Sequence, residues 1–559
     1  QYVLDNHSND TGALAWLYRL AGLWAGREGS LLFWAWLISL FGCIVSLRDI
    51  SKMRALDNVA VLVIAVVLAA FAGVLLFSDT NMPFAVTGDQ YLDNGKISSA
   101  AVQTLGMNSL LEHWAMAIHP PMLFAGYAGL TVPFAYAIAA LAVNDASDAW
   151  VRCSTRYVLV SWLFLTAGIG LGAVWAYTCL GWGGYWGWDP VENASLLPWL
   201  VGVALLHSFT VYRKRGTFKR WSIMCACVTF SFVILGTFIT RSGLVQSVHA
   251  FAGDNVSLAL FLALIVLSVV AGIVGLALRW KSFGSDLAED DQIESMLSRD
   301  IAYYLNNLVL IVLACLLAYM TIAQALPSWM PFGGQSISAG TYNAIARPIG
   351  VVYLAILAVC PLLGWGKTDG KAFLKAARVP AALALVLFIV FMVYWAIDLL
   401  PAYNAGVAAG GSIAEGFTVY GPAAYYHGLA IVGFAVASLL FFNALFMIGR
   451  GVGRFAKAKG INQVQAFFSF ARNVSGQFGG ALAHAGMAVC LAGLIGSSMY
   501  VSEVAGYVDY DEKADTAAAF QVENYELDYT ANSAYMTDNY SSAVYQVDFD
   551  LKRDGQTIG

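Results

Sequence analysis

The sequence predicts an all-α polytopic membrane protein of about twelve transmembrane helices, with a small β-rich external unit at its C-terminal end. Three observations carry this. Hydrophobic residues make up 59% of the 559-residue chain and charged residues 12%, and the mean hydropathy is +0.67, a balance that belongs in a bilayer. Apolar stretches of roughly 17 to 25 residues recur, the length that crosses about 30 Å of hydrocarbon as helix. The tail instead alternates apolar and polar residues in AVYQVDFDLKRDGQTIG, with Asp554-Gly555 placed to turn the chain between two strands.

In chain order, residues 1–29 start polar and continue as the amphipathic run ALAWLYRLAGLWA, which Arg19 and Arg27 interrupt. They read as an external surface segment. The spans are expected near 30–47, 59–77, 122–143, 157–180, 193–212, 221–240, 258–278, 301–325, 349–365, 379–400, 425–449 and 477–500. Of the alternate loops, the set at 48–54, 144–156, 213–220, 279–300, 366–378 and 450–476 holds 22 of the 30 Lys and Arg. The positive-inside rule makes that set cytoplasmic and turns the other loops outward. The chain thus divides into an external segment at 1–29, transmembrane helices over 30–180 with an external HPP loop, an external aromatic loop at 181–192, further helices over 193–500, and the tail 501–559. That tail has 12 acidic and 3 basic residues in a chain of net charge −5, which fits a solvated acidic face or a basic partner. None of the eight cysteines forms a C-x-x-C pair, so they read as packing residues. The chain opens at Gln1 and stops at Gly559 within a strand pattern, and both ends are expected to be truncated.

The stretch that calls for a function is GWGGYWGWDPVE at 181–192. Trp182, Tyr185, Trp186 and Trp188 fall within seven residues, and the intervening glycines let the backbone turn and expose flat faces. A lone Trp here would be an interfacial belt residue. Four aromatics on one glycine-rich loop make a platform for a large planar ligand. Asp189, Pro190 and Glu192 match a capping box opening the next helix, the favoured reading over direct ligand contact.

Topology sorts the histidines by depth. His207 and His484 fall inside spans, toward the cytoplasmic half, where two imidazoles suit the axial positions of one haem iron or each bond a neighbouring polar group. His119 and His249 belong to outer loops on the platform's side and suit a second bis-histidine site. Pro120 and Pro121 are expected to break the helix after His119 and hold it on extended backbone. His113 reads as a surface residue, while His7 and His427 lack context. Arg241, close to His249, fits either a propionate partner or an interfacial anchor.

GWGGYWGWDPVENASLLPWL resembles the WWD signature of the haem-handling proteins of cytochrome c maturation. IHPPMLFAGYAG, ILGTFITRSGLVQSVHAFA at 234–252 and LWAGREGSLLFW resemble more specifically the CcmF family, haem lyase subunits of the System I pathway, and the resemblance runs over nearly the whole chain. Tyr185 stands where the signature often has Trp. The resemblance implies a multi-pass protein of a bacterial inner membrane with its active face periplasmic, which joins haem b by thioether bonds to the cysteines of a CxxCH motif in apocytochrome c. It implies His119 and His249 as external haem ligands, and His207 and His484 as ligands of an intramembrane b-type haem that reduces the incoming one, with quinol as electron source. The implied partners are the haem chaperone CcmE, CcmH-type thiol-reducing subunits and apocytochrome c. No nucleic acid is expected. The family's first span and its last one, after the external domain, fall outside this sequence. An NrfE-type lyase for a specialised multihaem cytochrome, a haem exporter, and a quinol-oxidising b-type cytochrome without bond-forming activity remain as alternatives.

Overall fold

The computed structural model describes residues 1–49, 54–179, 184–285, 295–409 and 423–500, and within the tail 510–511, 516–517, 519–522, 525–536 and 543–558. Among them, twelve helices are long and apolar enough to cross a membrane. Contacts divide the chain into two units, Gln1–Ala376 and Ala377–Gly559.

In the first unit two short helices, α1 (Tyr2–Asn6) and α2 (Ala15–Ala25), precede α3 (Arg27–Asp49) and α4 (Ala55–Phe77). After the outer helix α5 (Ser99–Thr104) come α6 (Trp114–Val143), α7 (Ala149–Cys179), α8 (Pro190–Arg215), α9 (Lys219–Ser242), α10 (Asn255–Leu278), α11 (Arg299–Ile322) and α12 (Ala339–Val359). Burial shows which of these form the centre: 83% of the apolar window of α6 is covered, 72% of that of α8 and 67% of that of α9, against 22% for α10. Lipid is as apolar as leucine, so such helices associate through shape and close approach. Phe134 of α6 stacks on Phe230 of α9 with centroids 4.1 Å apart. Phe71 of α4 lies edge-on to Trp34 of α3 and to Phe261 of α10. Gly129 of α6 sits so close to α7 that a Cβ there would lie 2.1 Å from Ser161 Oγ.

One expectation is overturned. The helix carrying His119 does not break at Pro120 and Pro121; α6 starts at Trp114, well before the expected 122, and runs through both prolines and Pro133. Each proline costs one backbone hydrogen bond, whereas a break in hydrocarbon would free the several N–H and C=O groups of two helix ends. His119 therefore projects from helical backbone. His113, rather than lying on the helix surface, is its N-cap, with Nδ1 accepting from the Ala115 N–H.

In the second unit α13 (Gly370–Tyr394), which begins in the first, passes through a π-helical turn at Trp395–Leu399 into α14 (Leu400–Ala409). Helices Ala423–Lys459 and Ser475–Met499 pack together. The amphipathic helix Gln463–Asn473 closes their connection by seating Ala466 and Phe470 against Val452 and Ala456. The tail forms the expected β unit, an antiparallel sheet of Phe520–Val522, Tyr525–Met536, Ala543–Arg553 and Gln556–Thr557. Asp554 and Gly555, both at positive φ, turn its last hairpin.

Gly129→Val should lower the stability of the detergent-solubilised protein by about 1–3 kcal/mol through overpacking. Gly170→Val, where a Cβ meets nothing within 4 Å, should change it by less than about 0.5 kcal/mol. Equal thermal unfolding of the two variants would refute the close approach of α6 and α7.

Candidate functional site

The aromatic loop is described from Gly184 onward; Trp182 lies outside the described residues. Tyr185 occupies a bend, and Trp186 meets Trp188 edge-on, with centroids 5.9 Å apart. Trp188 adopts a left-handed φ of 57°, a conformation that costs a bulky residue of order 1 kcal/mol unless its surroundings hold it. They do so from three sides. Its indole stacks on Tyr342 at 5.0 Å and 8°, its Nε1–H donates to Asn343 Oδ1 at 3.0 Å, and its carbonyl accepts from Asn193 Nδ2 at 3.2 Å.

The turn at Trp188 delivers Asp189 to the start of α8, where the capping box forms. Asp189 accepts from the Val191 N–H at 2.9 Å, and Glu192 accepts from the N–H groups of Asp189 and Gly187. The capping box favoured from the sequence is present, and the same carboxylate also accepts from the loop after α9. Asp189 also accepts from Ser247 Oγ at 2.6 Å, from the Val248 N–H at 3.3 Å and from His249 Nδ1 at 3.1 Å. Burial works against its charge, yet the bonds from His249 and Ser247, the nearby imidazole and the Val191 N–H hold its carboxyl below the ordinary value.

His249 lies against Trp175 of α7, edge-on at 5.6 Å, and the other neighbour of that indole is His119, stacked at 6.5 Å and 28°. Trp175 is buried, with Nε1 donating to the Leu110 carbonyl. His119 Nδ1 donates to the Gly168 carbonyl at 2.6 Å, and the ring fits only because α7 has glycine one turn on: a Cβ at Gly172 would lie 2.6 Å from His119 Cε1. Both imidazoles thus have Nδ1 committed to an acceptor, one a carboxylate and one a backbone carbonyl. That selects the tautomer whose lone pair sits on Nε2, the arrangement found behind metal-ligating histidines. Beside Trp188 and Asp189 opens a pocket of about 290 Å³ whose walls include Gln246, Gln324 and Gln335, amides that offer donors and acceptors without charge.

The remaining candidates are placed elsewhere. Arg241 is 2% exposed at the end of α9, and its guanidinium donates to Thr237, Thr240, Ser30 Oγ and the Arg27 carbonyl. It braces α9 against α3 and joins neither histidine. His207, on α8, pairs its Nδ1 with the Asn306 amide at 2.9 Å and meets Tyr303 edge-on, both on α11. His484 belongs to the second unit, in the helix Ser475–Met499, and its Nδ1 is buried without a hydrogen-bond partner among the described residues. Sequence reasoning missed Trp175, which reads as a belt residue, and Tyr342 with Asn343, which carry no signal apart from the fold.

The sequence model of the family described as Cytochrome C assembly protein matches residues 24–246. The chain is 31% identical over 559 residues, its whole length and 76% of the relative's, to the cytochrome c-type biogenesis protein CycK of Bradyrhizobium diazoefficiens. It is likewise 31% identical over 560 residues, again with coverage of 100% and 76%, to the cytochrome c-type biogenesis protein CcmF of Haemophilus influenzae. Among solved structures, a cytochrome c heme lyase CcmF superposes with a TM-score of 0.65 over 100% of this chain and 74% of that one, at 24% identity, a likeness of fold.

The two duties of Asp189 separate by substitution. Asn caps a helix as well as Asp does, so Asp189→Asn should melt within about 0.5 kcal/mol of the parent protein, whereas Asp189→Ala should lose about 1–2 kcal/mol. Equal losses in thermal unfolding would show that the cap is not what Asp189 contributes to stability.

Proposed function

This chain belongs to the CcmF and CycK family of cytochrome c-type biogenesis proteins, and from that premise we propose that it is a haem lyase subunit, joining haem b to the CxxCH cysteines of apocytochrome c at the periplasmic face of a bacterial inner membrane. The observation that carries this reading is that His119 and His249 meet at one indole, Trp175, each with its Nδ1 anchored. Haem as substrate supplies the two vinyl groups, and the peptide supplies the two thiols. Addition of S–H across each vinyl double bond forms a C–S and a C–H bond with no net oxidation, so the protein's work is placement and exclusion of competing chemistry.

His119 and His249 would hold the substrate haem through Nε2, and the loop aromatics would pack against it. Asp189 orients His249 and strengthens it as a ligand, because a carboxylate on Nδ1–H raises the basicity of the other nitrogen. The Gly168 carbonyl does the same more weakly for His119. Exchange of one of these imidazoles for the histidine of the CxxCH motif releases the product. His207 and His484 are proposed, on their sequence context alone, as residues that would each ligate haem b, a group that would supply electrons to the substrate iron. CcmE as haem donor and CcmH-type subunits as thiol carriers complete the reading.

His119→Ala and His249→Ala should each abolish haem attachment in a maturation assay, and Asp189→Asn should lower it by about 10- to 100-fold, all without loss of the b-type absorbance of the purified protein. Normal cytochrome c yield in the two alanine variants would end this reading of the outer site. Conversely, His207→Ala and His484→Ala should remove the dithionite-reduced b-type spectrum; an unchanged spectrum in both would exclude the intramembrane haem.

A further inference from the structure

The opposite ends of the spans carry different chemistry. α9 and α10 run antiparallel: the end of α9 at Ser242 leads into the loop of His249, and the other ends of both helices, near Lys219 and Leu278, meet far from it. Between those ends lies a pocket of about 400 Å³, within the usual range of about 300–1,000 Å³ for small-molecule sites. Its polar wall is Lys219 and Arg220, and Phe218, Trp221, Met224, Leu276, Trp280 and Phe283 make it mostly apolar. Five of the eight residues at 213–220 are basic, part of the loop set that the positive-inside rule assigns to the cytoplasmic leaflet.

Three features point to an anion with an apolar body. The Arg220 guanidinium lies 3.8 Å over the indole of Trp280 and donates through Nε and Nη2 to the Trp280 carbonyl, so it is held in one place. No carboxylate pairs with it among the described residues. Next to it α9, a helix of 24 residues, begins without a side-chain cap, from Phe218 at a left-handed φ of 62°, and its first-turn N–H groups and dipole favour negative charge there. Finally, α10 turns Ile273, Val274 and Leu278 outward at 64%, 49% and 76% exposure, so the end of the helix that lines the pocket with Leu276 also presents apolar side chains outward. Trp221 and Trp280 are the residue type that marks the headgroup level of a bilayer.

We propose that this pocket is a binding site for one anionic phospholipid, with the headgroup phosphate against Arg220 and the start of α9 and the acyl chains along α10. Basic pockets between spans on the cytoplasmic side recognise such headgroups by charge. Inorganic phosphate shares the charge but not the apolar walls, which single out the lipid. The site is independent of the haem reading and requires neither histidine pair.

Native mass spectrometry of the full chain in zwitterionic detergent tests it, with phosphatidylglycerol, phosphatidylcholine and inorganic phosphate as probes. One phosphatidylglycerol should be retained at least about fivefold more tightly than phosphatidylcholine, and Arg220→Gln should lower that preference by about fivefold, the contribution of one basic side chain at an anionic surface. Lys281→Gln removes an exposed cation just outside the lining and should leave the preference intact. Should Arg220→Gln not fold, Leu276→Trp, which fills the apolar wall and alters no charge, must lower phosphatidylglycerol retention. The proposal is overturned by equal retention of the two lipids. It is also overturned by equal effects of the Arg220 and Lys281 variants, or by inorganic phosphate binding as tightly as the lipid.

Discussion

The outer site depends on the carboxylate of Asp189. It ends one structure, the aromatic loop, by capping α8, and begins another by accepting from Ser247, Val248 and His249 in the loop after α9. That second loop is fastened again further on. Phe251 and Asp254 donate their N–H groups to Thr240 and Arg241 carbonyls, Asp254 faces Arg27, and Asn81 joins both. An imidazole on a loop between two spans would otherwise sample many orientations. Held at both ends, it is committed to one, and it moves with the loop that carries the tryptophans.

His119 is positioned by a different device. Its own helix passes two prolines, and the neighbouring helix supplies a carbonyl at Gly168 and empty space at Gly172. In hydrocarbon a backbone carbonyl on the adjacent helix is a strong orienting acceptor because no water competes for the N–H. Trp175 touches both imidazoles and is itself fixed by its bond to Leu110. The left-handed Trp188 belongs to the same logic: an unfavourable backbone state persists because a stack, an indole bond and an amide bond all require it.

The two ends of the bundle divide their labour by charge. At one end the carboxylates of Asp189 and Glu192, two imidazoles and uncharged amides gather around the aromatic loop. At the other end arginine and lysine stand over an apolar pocket.

Much of this was legible in the residues. Spans are readable because hydrocarbon enforces one length and one composition, the last hairpin because Asp554-Gly555 accepts positive φ, and the capping box because Asp, Pro and Glu at that spacing satisfy the first N–H groups of a helix with no help from elsewhere. The clustering of aromatic residues on one glycine-rich loop is local in the same way. What those rules do not contain is neighbourhood. That α6 continues through Pro120 and Pro121, that His249 turns to Asp189, that Trp175 meets both imidazoles and that Arg241 reaches α3 all depend on which helices stand side by side. The sequence by itself determined that four aromatic residues and a helix cap share one short loop. Only tertiary packing decided which nitrogen each ring presents, because that is set by acceptors 49 and 60 residues away along the chain.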